Sequence, residues 1–284
     1  MPDDASELRR RVDALRVDRT SGASEILRRS LDILFAARDS GVDVREIARA
    51  LCDAQPTMAS LRNAAIAATS PDAQRLNQFA ERVRRAPAAL ARFAIEHFSS
   101  TFDQPARVDG LHIVTLSYSS SVVVALKAIA AGRSLHVSCA EGRPALEGRT
   151  LTADLIAAGI RVTLFADAAI AGALRDADAV LVGADAIAPS LFLNKSGTTM
   201  LAAAASQQGV PFYVVATRDK FVSSEVASLL AIRSGDPNEI WDAPPEGVEV
   251  RNPYFESTPL DLVTAVISDT GVLGTGMVPD VCEH

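Results

Sequence analysis

Polar residues able to bind and protonate a small molecule follow an apolar run in the centre of the chain. Asp185 comes shortly after the run Ala179 to Val182, and Asn194 and Lys195 follow in the next segment. The run is typical of a buried strand, and in an open parallel sheet ligands bind at the carboxyl ends of the strands. A carboxylate there suits general acid–base chemistry, while an amide and an ammonium group bind hydroxyl groups. Asp185 also has a structural reading as a helix cap, but three such side chains on one predicted loop favour a site.

Three more polar segments end predicted strands and should lie at the same edge of the sheet. The segment Ser117 to Ser121 combines hydroxyl groups with the start of a helix, which suits an anion, although an N-cap explains the same residues. Arg143, within Glu141 to Pro144, has a guanidinium group suited to bidentate contact with phosphate, although most single arginines lie on the surface. Asp167 forms an acidic turn that serves equally well as a helix cap.

Other chemistries lack their sequence signatures. The chain has neither a glycine-rich dinucleotide fingerprint nor a P-loop, and the serines after the first strand lack the GxSxG setting of a hydrolase nucleophile. His112 and His136 lie inside predicted strands. The cysteines Cys52, Cys139 and Cys282 are far apart and odd in number, which argues against a disulfide framework and a metal site. We therefore expect neither a cofactor nor a metal ion.

The composition is that of a globular chain. Of its 284 residues 48% are hydrophobic, enough for a sizeable core, and the formal net charge is -7. The acidic balance, without a basic stretch interleaved with aromatic residues, argues against direct nucleic-acid binding. No apolar run approaches the roughly 20 residues that cross a bilayer, and the first residues are charged, so we expect a cytoplasmic protein that does not enter a membrane.

The first part of the chain has the periodicity of helices. Apolar residues recur at helical spacing from residue 5 to about residue 105, which predicts an all-helical N-terminal domain over residues 1–105. A linker is expected near residues 102–105. The predicted breaks between helices fall at Ser21-Gly22, Gly41, Pro56-Thr57, Ser70-Pro71 and Pro87.

The pattern changes at Leu111, where short β-branched runs begin to alternate with alanine-rich helical segments. Several of these runs are apolar without strict alternation, as expected of strands that are covered on both faces. The pattern predicts an α/β domain over residues 106–284 with a doubly wound, mainly parallel sheet of about six or seven strands. The last element is predicted to be a helix from Thr258 to Gly271, because Thr258 suits an N-cap and Pro259 the first helical position.

Short motifs recur along the chain in a fixed order. They are Ser21-Gly22-Ala23-Ser24, Gln55-Pro56-Thr57, Glu141-Gly142-Arg143-Pro144 with Leu146-Glu147-Gly148, Val182-Gly183-Ala184-Asp185, Asn194-Lys195-Ser196-Gly197-Thr198, Pro211-Phe212-Tyr213-Val214, and Asn252-Pro253 with Thr258-Pro259. In this order they resemble the aldose-1-phosphate isomerases, meaning ribose-1,5-bisphosphate and methylthioribose-1-phosphate isomerases, together with the α, β and δ regulatory subunits of translation initiation factor 2B. The resemblance covers most of the chain.

The resemblance implies a helical N-terminal domain, a Rossmann-like C-terminal domain, a homodimer or larger homo-oligomer, and a phosphorylated sugar or nucleotide as ligand. It assigns the catalytic aspartate to Asp185, and it places the family's catalytic cysteine at the position of Ser117. Gln55 stands where the motif has an arginine. The remaining roles that we assign are phosphate binding by Arg143 and the helix start at Gly148, hydroxyl binding by Asn194 and Lys195, and closure of the site by Gly22 and Ala23.

Ser117 leaves the function open between catalysis and binding. Aldose–ketose isomerisation requires a proton donor and acceptor with pKa values near the working pH, which a thiol of pKa about 8.5 can supply and an unassisted serine cannot. Either Asp185 acts with a water molecule, or another group substitutes, or the site only binds. Cys139, which ends the second strand, is the candidate substitute thiol, although burial in the core is the commoner explanation. We expect an isomerase of an aldose 1-phosphate, with a non-catalytic regulatory protein as the alternative.

Overall fold

The computed structural model describes residues 4–18, 21–102, 110–230, 232 and 234–280; most of the predicted linker and Cys282 lie outside these ranges. Within the described residues, no helix has the length and apolar character needed to span a membrane. The helices are α1 (Ala5–Val17), α2 (Ala23–Ser40), α3 (Val44–Ala54), α4 (Ala59–Thr69), α5 (Arg75–Thr101), α6 (Ser120–Ala130), α7 (Glu147–Ala157), α8 (Thr198–Gln208) and α9 (Ser224–Ser228). The strands are β1 (Leu111–Thr115), β2 (Leu135–Ala140), β3 (Arg161–Phe165), β4 (Ala179–Val182), β5 (Ala186–Ile187), β6 (Leu191–Lys195), β7 (Phe212–Val215), β8 (Phe255–Pro259), β9 (Ala265–Ser268) and β10 (Gly271–Leu273).

Helices α1 to α5 confirm the predicted helical N-terminal region, and their ends follow capping chemistry. The carboxylates of Asp4 and Asp43 accept backbone N–H groups in the first turns of α1 and α3. Gly41 ends α2 in the left-handed conformation, with φ 74°. The break predicted at Pro87 is wrong, because α5 runs through it. Apolar residues on both sides of Pro87 remain buried, and this packing outweighs the lost backbone hydrogen bond.

A mostly parallel sheet forms the second part of the described chain. Its seven strands lie in the order β3-β2-β1-β4-β7-β9-β10, and all neighbours pair in parallel except β9 and β10. Strands β1, β4 and β7 are buried along their whole length, because helices or 3₁₀ segments cover both faces. The predicted doubly wound architecture is therefore confirmed. The chain's direction across the sheet reverses between β1 and β4, which is where such sheets bind ligands.

A second, antiparallel sheet stands at the carboxyl edge of the large one. It consists of β5, β6 and β8, with β6 in the middle. The segment from Asp185 to Lys195, predicted as a loop, is thus largely a hairpin whose second strand ends in Asn194 and Lys195. Pairing with β8 holds that strand, so both side chains are on a rigid element.

The predicted helix from Thr258 to Gly271 is wrong. Pro259 ends β8, a single 3₁₀ turn spans Leu260–Leu262, and β9 and β10 follow. The reason lies in the run Ala265–Ser268, all of which is buried within the large sheet beside β7. An apolar, β-branched segment at that place completes a two-sided sheet core, and this outweighs the capping signal of a threonine followed by a proline.

Helix α5 belongs to two hydrophobic cores. Its first part, including Phe79, packs with α1 to α4, whereas Leu90, Ala94 and Phe98 pack in the same core as β1 and α6. The helical region is consequently fastened to the sheet by a continuous helix. The boundary at residue 105 lies in a stretch outside the described residues and remains a prediction.

Candidate functional site

A cavity of about 300 Å³ opens at the carboxyl edge of the large sheet, under the loop that precedes α2. It gathers side chains from the helical region, from the segments after β1 and β4, from the start of α7 and from the small sheet. The lining residues are Ser21, Gly22, Ala23, Ser117, Tyr118, Glu147, Thr150, Asp185, Asn194, Lys195 and Phe255. Of the residues predicted for the site, the structure brings Gly22, Ala23, Ser117, Asp185, Asn194 and Lys195 to this cavity.

Asp185 is held through its backbone by two different parts of the fold. Its N–H donates to the carbonyl of Leu193 at 2.8 Å, and its carbonyl accepts from the N–H of Ala59 at 3.2 Å. Burial raises the pKa of its carboxyl above the ordinary value; Lys220 and Lys195 oppose this shift. None of the hydrogen bonds in the described ranges reaches this carboxylate, so it is available to a ligand. A carboxyl that is easily protonated suits a general acid–base role.

Lys220 contacts the backbone next to Asp185, and its positive charge lowers the pKa of the Asp185 carboxyl. This residue was not identified from the sequence. Its Nζ donates to the carbonyl of Ala184 at 2.6 Å, and the side chain is buried. It follows β7 at the same sheet edge, which was the available signal. The α4 residue Asn63 donates from its side chain to the carbonyls of Asp219 and Phe221 at 2.8 and 2.9 Å, and so fixes the loop that carries Lys220.

Ser117 is buried at the cavity with a backbone φ of 61°. A left-handed conformation is uncommon for a residue other than glycine, and strain of this kind clusters at functional sites. The next residue, Tyr118, donates from its hydroxyl to Asp154 at 2.9 Å. The Tyr118 ring lies against Gly22, where an added Cβ would be 3.6 Å from the ring. The loop before α2 therefore covers the segment after β1.

Glu147 and Lys195 form an ion pair at the cavity, with 2.5 Å between Oε1 and Nζ. Lys195 is only 6% exposed, and its Nζ also lies over the rings of Tyr254 and Phe255, at 4.8 and 5.1 Å from their centroids. These contacts offset part of the cost of burying the ammonium group. Sequence reasoning placed Glu147 in a motif but gave it no role.

Asn194 is buried beside Lys195 and held by the start of α8. Its Nδ2 donates to Oγ1 of Thr198 at 2.9 Å, and that hydroxyl donates to the carbonyl of Lys195 at 2.6 Å. Asn194 is therefore fixed in orientation, and no hydrogen bond within the described part of the chain uses its amide oxygen, which can accept one from a ligand.

Two residues predicted to bind phosphate do not line the cavity. Arg143 is exposed, and its guanidinium donates to the carbonyl of Glu239 at 3.3 Å. The N–H groups of Gly142 and Arg143 both donate to Asp167, each at 2.7 Å, so this acidic turn orients the Arg143 loop. Gly148 has a structural role, because a Cβ at this position would lie 1.8 Å from the carbonyl oxygen of Ala140. Only glycine permits α7 to approach β2 so closely.

Cys139 lies in the core and not at the cavity. Its side chain is fully buried, with Sγ 3.2 Å from the carbonyl oxygen of Ala140. Burial, with a smaller effect of Asp167, raises the pKa of its thiol to about 12. Such a thiol is almost entirely protonated near neutral pH, which agrees with its role as a small apolar core residue. Gln55 also lies outside the cavity lining and donates from its side chain to the carbonyl of Leu15 at 2.7 Å.

The chain is similar to known proteins in both sequence and fold. The model of the initiation factor 2 subunit family matches residues 5–275. The chain is 37% identical to ribose 1,5-bisphosphate isomerase of Archaeoglobus fulgidus over 172 residues (58% of this chain, 54% of the relative). It is 42% identical to methylthioribose-1-phosphate isomerase of Rhodopirellula baltica over 166 residues (54% and 47%). It is 31% identical to 5-deoxyribose 1-phosphate isomerase of Moorella thermoacetica over 295 residues (92% and 84%).

The matches to the first two relatives span about half the length of each of those proteins. Solved structures share the fold along nearly the whole chain. The translation initiation factor eIF-2B of Pyrococcus horikoshii superposes with a TM-score of 0.81 at 24% identity, covering 97% of this chain and 98% of that one. The 5-methylthioribose 1-phosphate isomerase of the same organism gives 0.69 at 23% identity, covering 95% and 85%.

Proposed function

Because this chain belongs to the initiation factor 2 subunit family, we propose that it binds a phosphorylated sugar in the cavity described above and isomerises an aldose 1-phosphate to the ketose. The observation that carries the proposal is a carboxyl of raised pKa, Asp185, in a cavity with hydroxyl-binding groups. The relatives with isomerase names support the reaction class.

The proposed reaction needs proton transfer but no external oxidant or reductant. As the ring C1–O bond breaks, the ring oxygen takes a proton and becomes a hydroxyl. The hydrogen on C2 moves to C1, and the C2 hydroxyl loses its proton and becomes the ketone. C1 is thus reduced as C2 is oxidised. Asp185 in its protonated form would give the proton to the ring oxygen and regain one from the C2 hydroxyl.

The other lining residues position the sugar. The fixed amide of Asn194 and the ammonium group of Lys195 would bind hydroxyl groups, and the loop with Gly22 and Ala23 would exclude water from above. Lys220 would favour the carboxylate form of Asp185 when that residue has given up its proton.

The alternative is a regulatory protein that binds the same class of ligand, or a nucleotide, without turnover. Ser117 favours it, because the family resemblance places the catalytic cysteine at this position and a serine is a weak acid. Of the two cysteines in the described ranges, neither Cys52 nor Cys139 lines the cavity.

Turnover separates the two functions. A panel of aldose 1-phosphates would be assayed for ketose formation by NMR, with wild type and Asp185→Asn side by side. An isomerase should convert at least one member, and the variant should lose about 10²- to 10⁴-fold in kcat while its ligand affinity stays near wild type. Binding of several members without conversion of any would replace the isomerase with the regulatory protein.

We also propose that residues 1–105 and 106–284 form two domains of one functional unit, and that the chain assembles into a homodimer or larger homo-oligomer. The lining residues Gly22 and Ala23 support the first proposal, and the second rests on the family resemblance.

A fragment of residues 72–284, which retains α5, should bind no sugar phosphate. Light scattering of the full chain would give its oligomeric state, and full binding by the fragment would overturn the first proposal.

A further inference from the structure

A second cavity, of about 140 Å³, lies where helices α2, α5 and α6 meet the segment after β7. Among the described residues, it has no lining residue in common with the cavity of the candidate site. An apolar cavity of about 150 Å³ binds a molecule as large as benzene, so there is room here for a ligand of about five or six non-hydrogen atoms.

This second cavity lies between two hydrophobic cores. Of its lining residues, Leu27 belongs to the core of the helical region, and Leu90 belongs to the core that α5 and α6 share with β1. Pro87 also lines it and has no N–H, so one backbone hydrogen bond of α5 is missing at this place. Ser24 and Pro87 are exposed, whereas Leu27 and Leu90 are buried. The cavity therefore has a mouth at the surface and an apolar floor.

Asp219 brings a buried carboxyl to this cavity. The residue is only 9% exposed, and burial raises the pKa of its carboxyl, while Lys220 and a hydrogen bond from Thr217 oppose that shift. Lys220 lies outside the cavity lining, and its Nζ donates to the carbonyl of Ala184. An ionised carboxylate in such surroundings is costly unless a cation or further hydrogen bonds compensate it. Because Asp219 takes no part in the isomerisation proposed above, its burial requires a separate explanation.

The groups beside Asp219 suit an ammonium ion. A primary ammonium has three N–H donors, and the carboxylate of Asp219 and the hydroxyl oxygens of Ser121 and Thr217 can accept them. The N-terminus of α6, near Ser120, carries a partial positive charge of roughly half an elementary charge, which is smaller than the full negative charge of an ionised carboxylate. The leucine, valine and proline side chains of the lining can contact a short hydrocarbon chain.

We propose that this cavity binds a short-chain primary ammonium ion, whose charged end pairs with Asp219 and whose hydrocarbon chain lies between α2, α5 and α6. The bound ion contacts the helical region and the sheet at once, because α2 and the segment after β7 both line the cavity. The site is independent of the proposed function, since both its cavity and its ligand are different.

Isothermal titration calorimetry with n-butylammonium chloride and with n-butanol, at equal ionic strength, tests this assignment. The two probes have the same shape, and at pH 8 the amine is still protonated, as the lysine pKa of about 10.4 indicates. Wild type should bind butylammonium, with a millimolar dissociation constant, at least about tenfold more tightly than butanol. Asp219→Asn keeps the side-chain shape and removes the charge, so the two probes should then bind within about twofold of each other.

Asp269→Asn is the matched control for net charge. Asp269 acts on the pKa of Asp219 from outside the cavity lining, and asparagine keeps an oxygen that can accept the N–H of Arg218. This variant should keep the preference of wild type. Val124→Phe places an aromatic ring in the cavity, so it should lose the binding of both probes.

Several results would overturn the assignment. Wild type that binds neither probe, or both equally, does so without any variant. A preference that persists in Asp219→Asn, or that falls equally in Asp269→Asn, would mean that the acidic surface as a whole attracts the cation. Unchanged butylammonium binding by Val124→Phe would place the ligand elsewhere. None of these results bears on the proposed function, because no sugar phosphate is present.

Discussion

The backbone N–H of Ala59, at the start of α4, donates to the carbonyl of Asp185. A residue of the helical region thus fixes the position of the proposed general acid, which lies in the segment between β4 and β5. Asn63, one turn further along α4, reaches the loop of Lys220 in the same way. Helix α4 therefore positions both Asp185 and the loop that carries Lys220.

We predict that Asn63→Ala lowers sugar-phosphate affinity by about tenfold and the free energy of unfolding by about 1–3 kcal/mol. The substitution leaves two backbone carbonyls without their buried donor and frees the Lys220 loop. Asn77→Ala is the control, because Asn77 is exposed and its side chain accepts a hydrogen bond from the exposed Arg38. Calorimetry and urea unfolding measure the two quantities. An Asn63→Ala variant that matches the control in both would show that α4 does not position the site.

A second prediction concerns the cost of burying Asp185. The pKa of the Asp185 carboxyl is raised in the folded state above its ordinary value of 3.8. Its contribution to the free energy of unfolding therefore falls as the pH rises above that value. The unfolded chain ionises there while the folded chain stays protonated, and the loss levels off above the folded pKa. Asp185→Asn should therefore raise the melting temperature at pH 7, and the gain should shrink towards zero below the ordinary pKa. Thermal melts of both proteins across this pH range provide the comparison; a gain that is constant with pH would contradict it.

The third prediction compares Ser117, at the position of the family's cysteine, with Cys139, the candidate substitute thiol; each substitution is the control for the other. If an isomerase operates, Ser117→Cys should raise kcat by about tenfold or more, because it places an ionisable group at the cavity. Cys139→Ser should leave kcat and KM unchanged but lower the free energy of unfolding by about 1–3 kcal/mol, since a hydroxyl replaces a thiol in the core. A collapse of kcat in a Cys139→Ser protein of normal stability would instead make Cys139 the catalytic thiol.

The fourth prediction compares the role of Arg143 in binding with the role of Asp167 in stabilising the loop that carries Arg143. Arg143→Ala should change sugar-phosphate affinity by no more than about twofold, because the guanidinium is exposed and outside the cavity lining. Asp167→Ala should lower the free energy of unfolding by about 1–3 kcal/mol, since two backbone N–H groups lose their charged acceptor. Titration and denaturant unfolding of both variants decide the matter. Loss of binding in Arg143→Ala at unchanged stability would restore its predicted phosphate role.

The elements that the sequence predicted well have a strong local signal. Apolar runs predicted β1, β4 and β7 because both faces of these strands are buried, and glycine and proline positions marked most helix ends. The hairpin of β5 and β6 has no such signal, since β5 is only two residues long and β6 depends on pairing with β8, some sixty residues later in the chain.

The candidate site was predictable where one segment contains both a motif and its strand end, as at Asp185, Asn194 and Ser117. It was not predictable where function depends on contacts between distant segments. Lys195 meets Glu147 across 48 positions, and the direction of the Arg143 side chain depends on Asp167, which binds the loop backbone. The position of Lys220 near Asp185 depends on the parallel pairing of β7 with β4.

The close approach of Gly148 to Ala140 also bears on redesign of the cavity. Because this backbone contact sets the height of α7 above the sheet, any side chain at position 148 would displace the helix and with it residue 147, which lines the cavity. A library that varies position 147 to screen for new ligand selectivity must therefore keep glycine at position 148, and its members need a test of folding because Lys195 loses its buried partner.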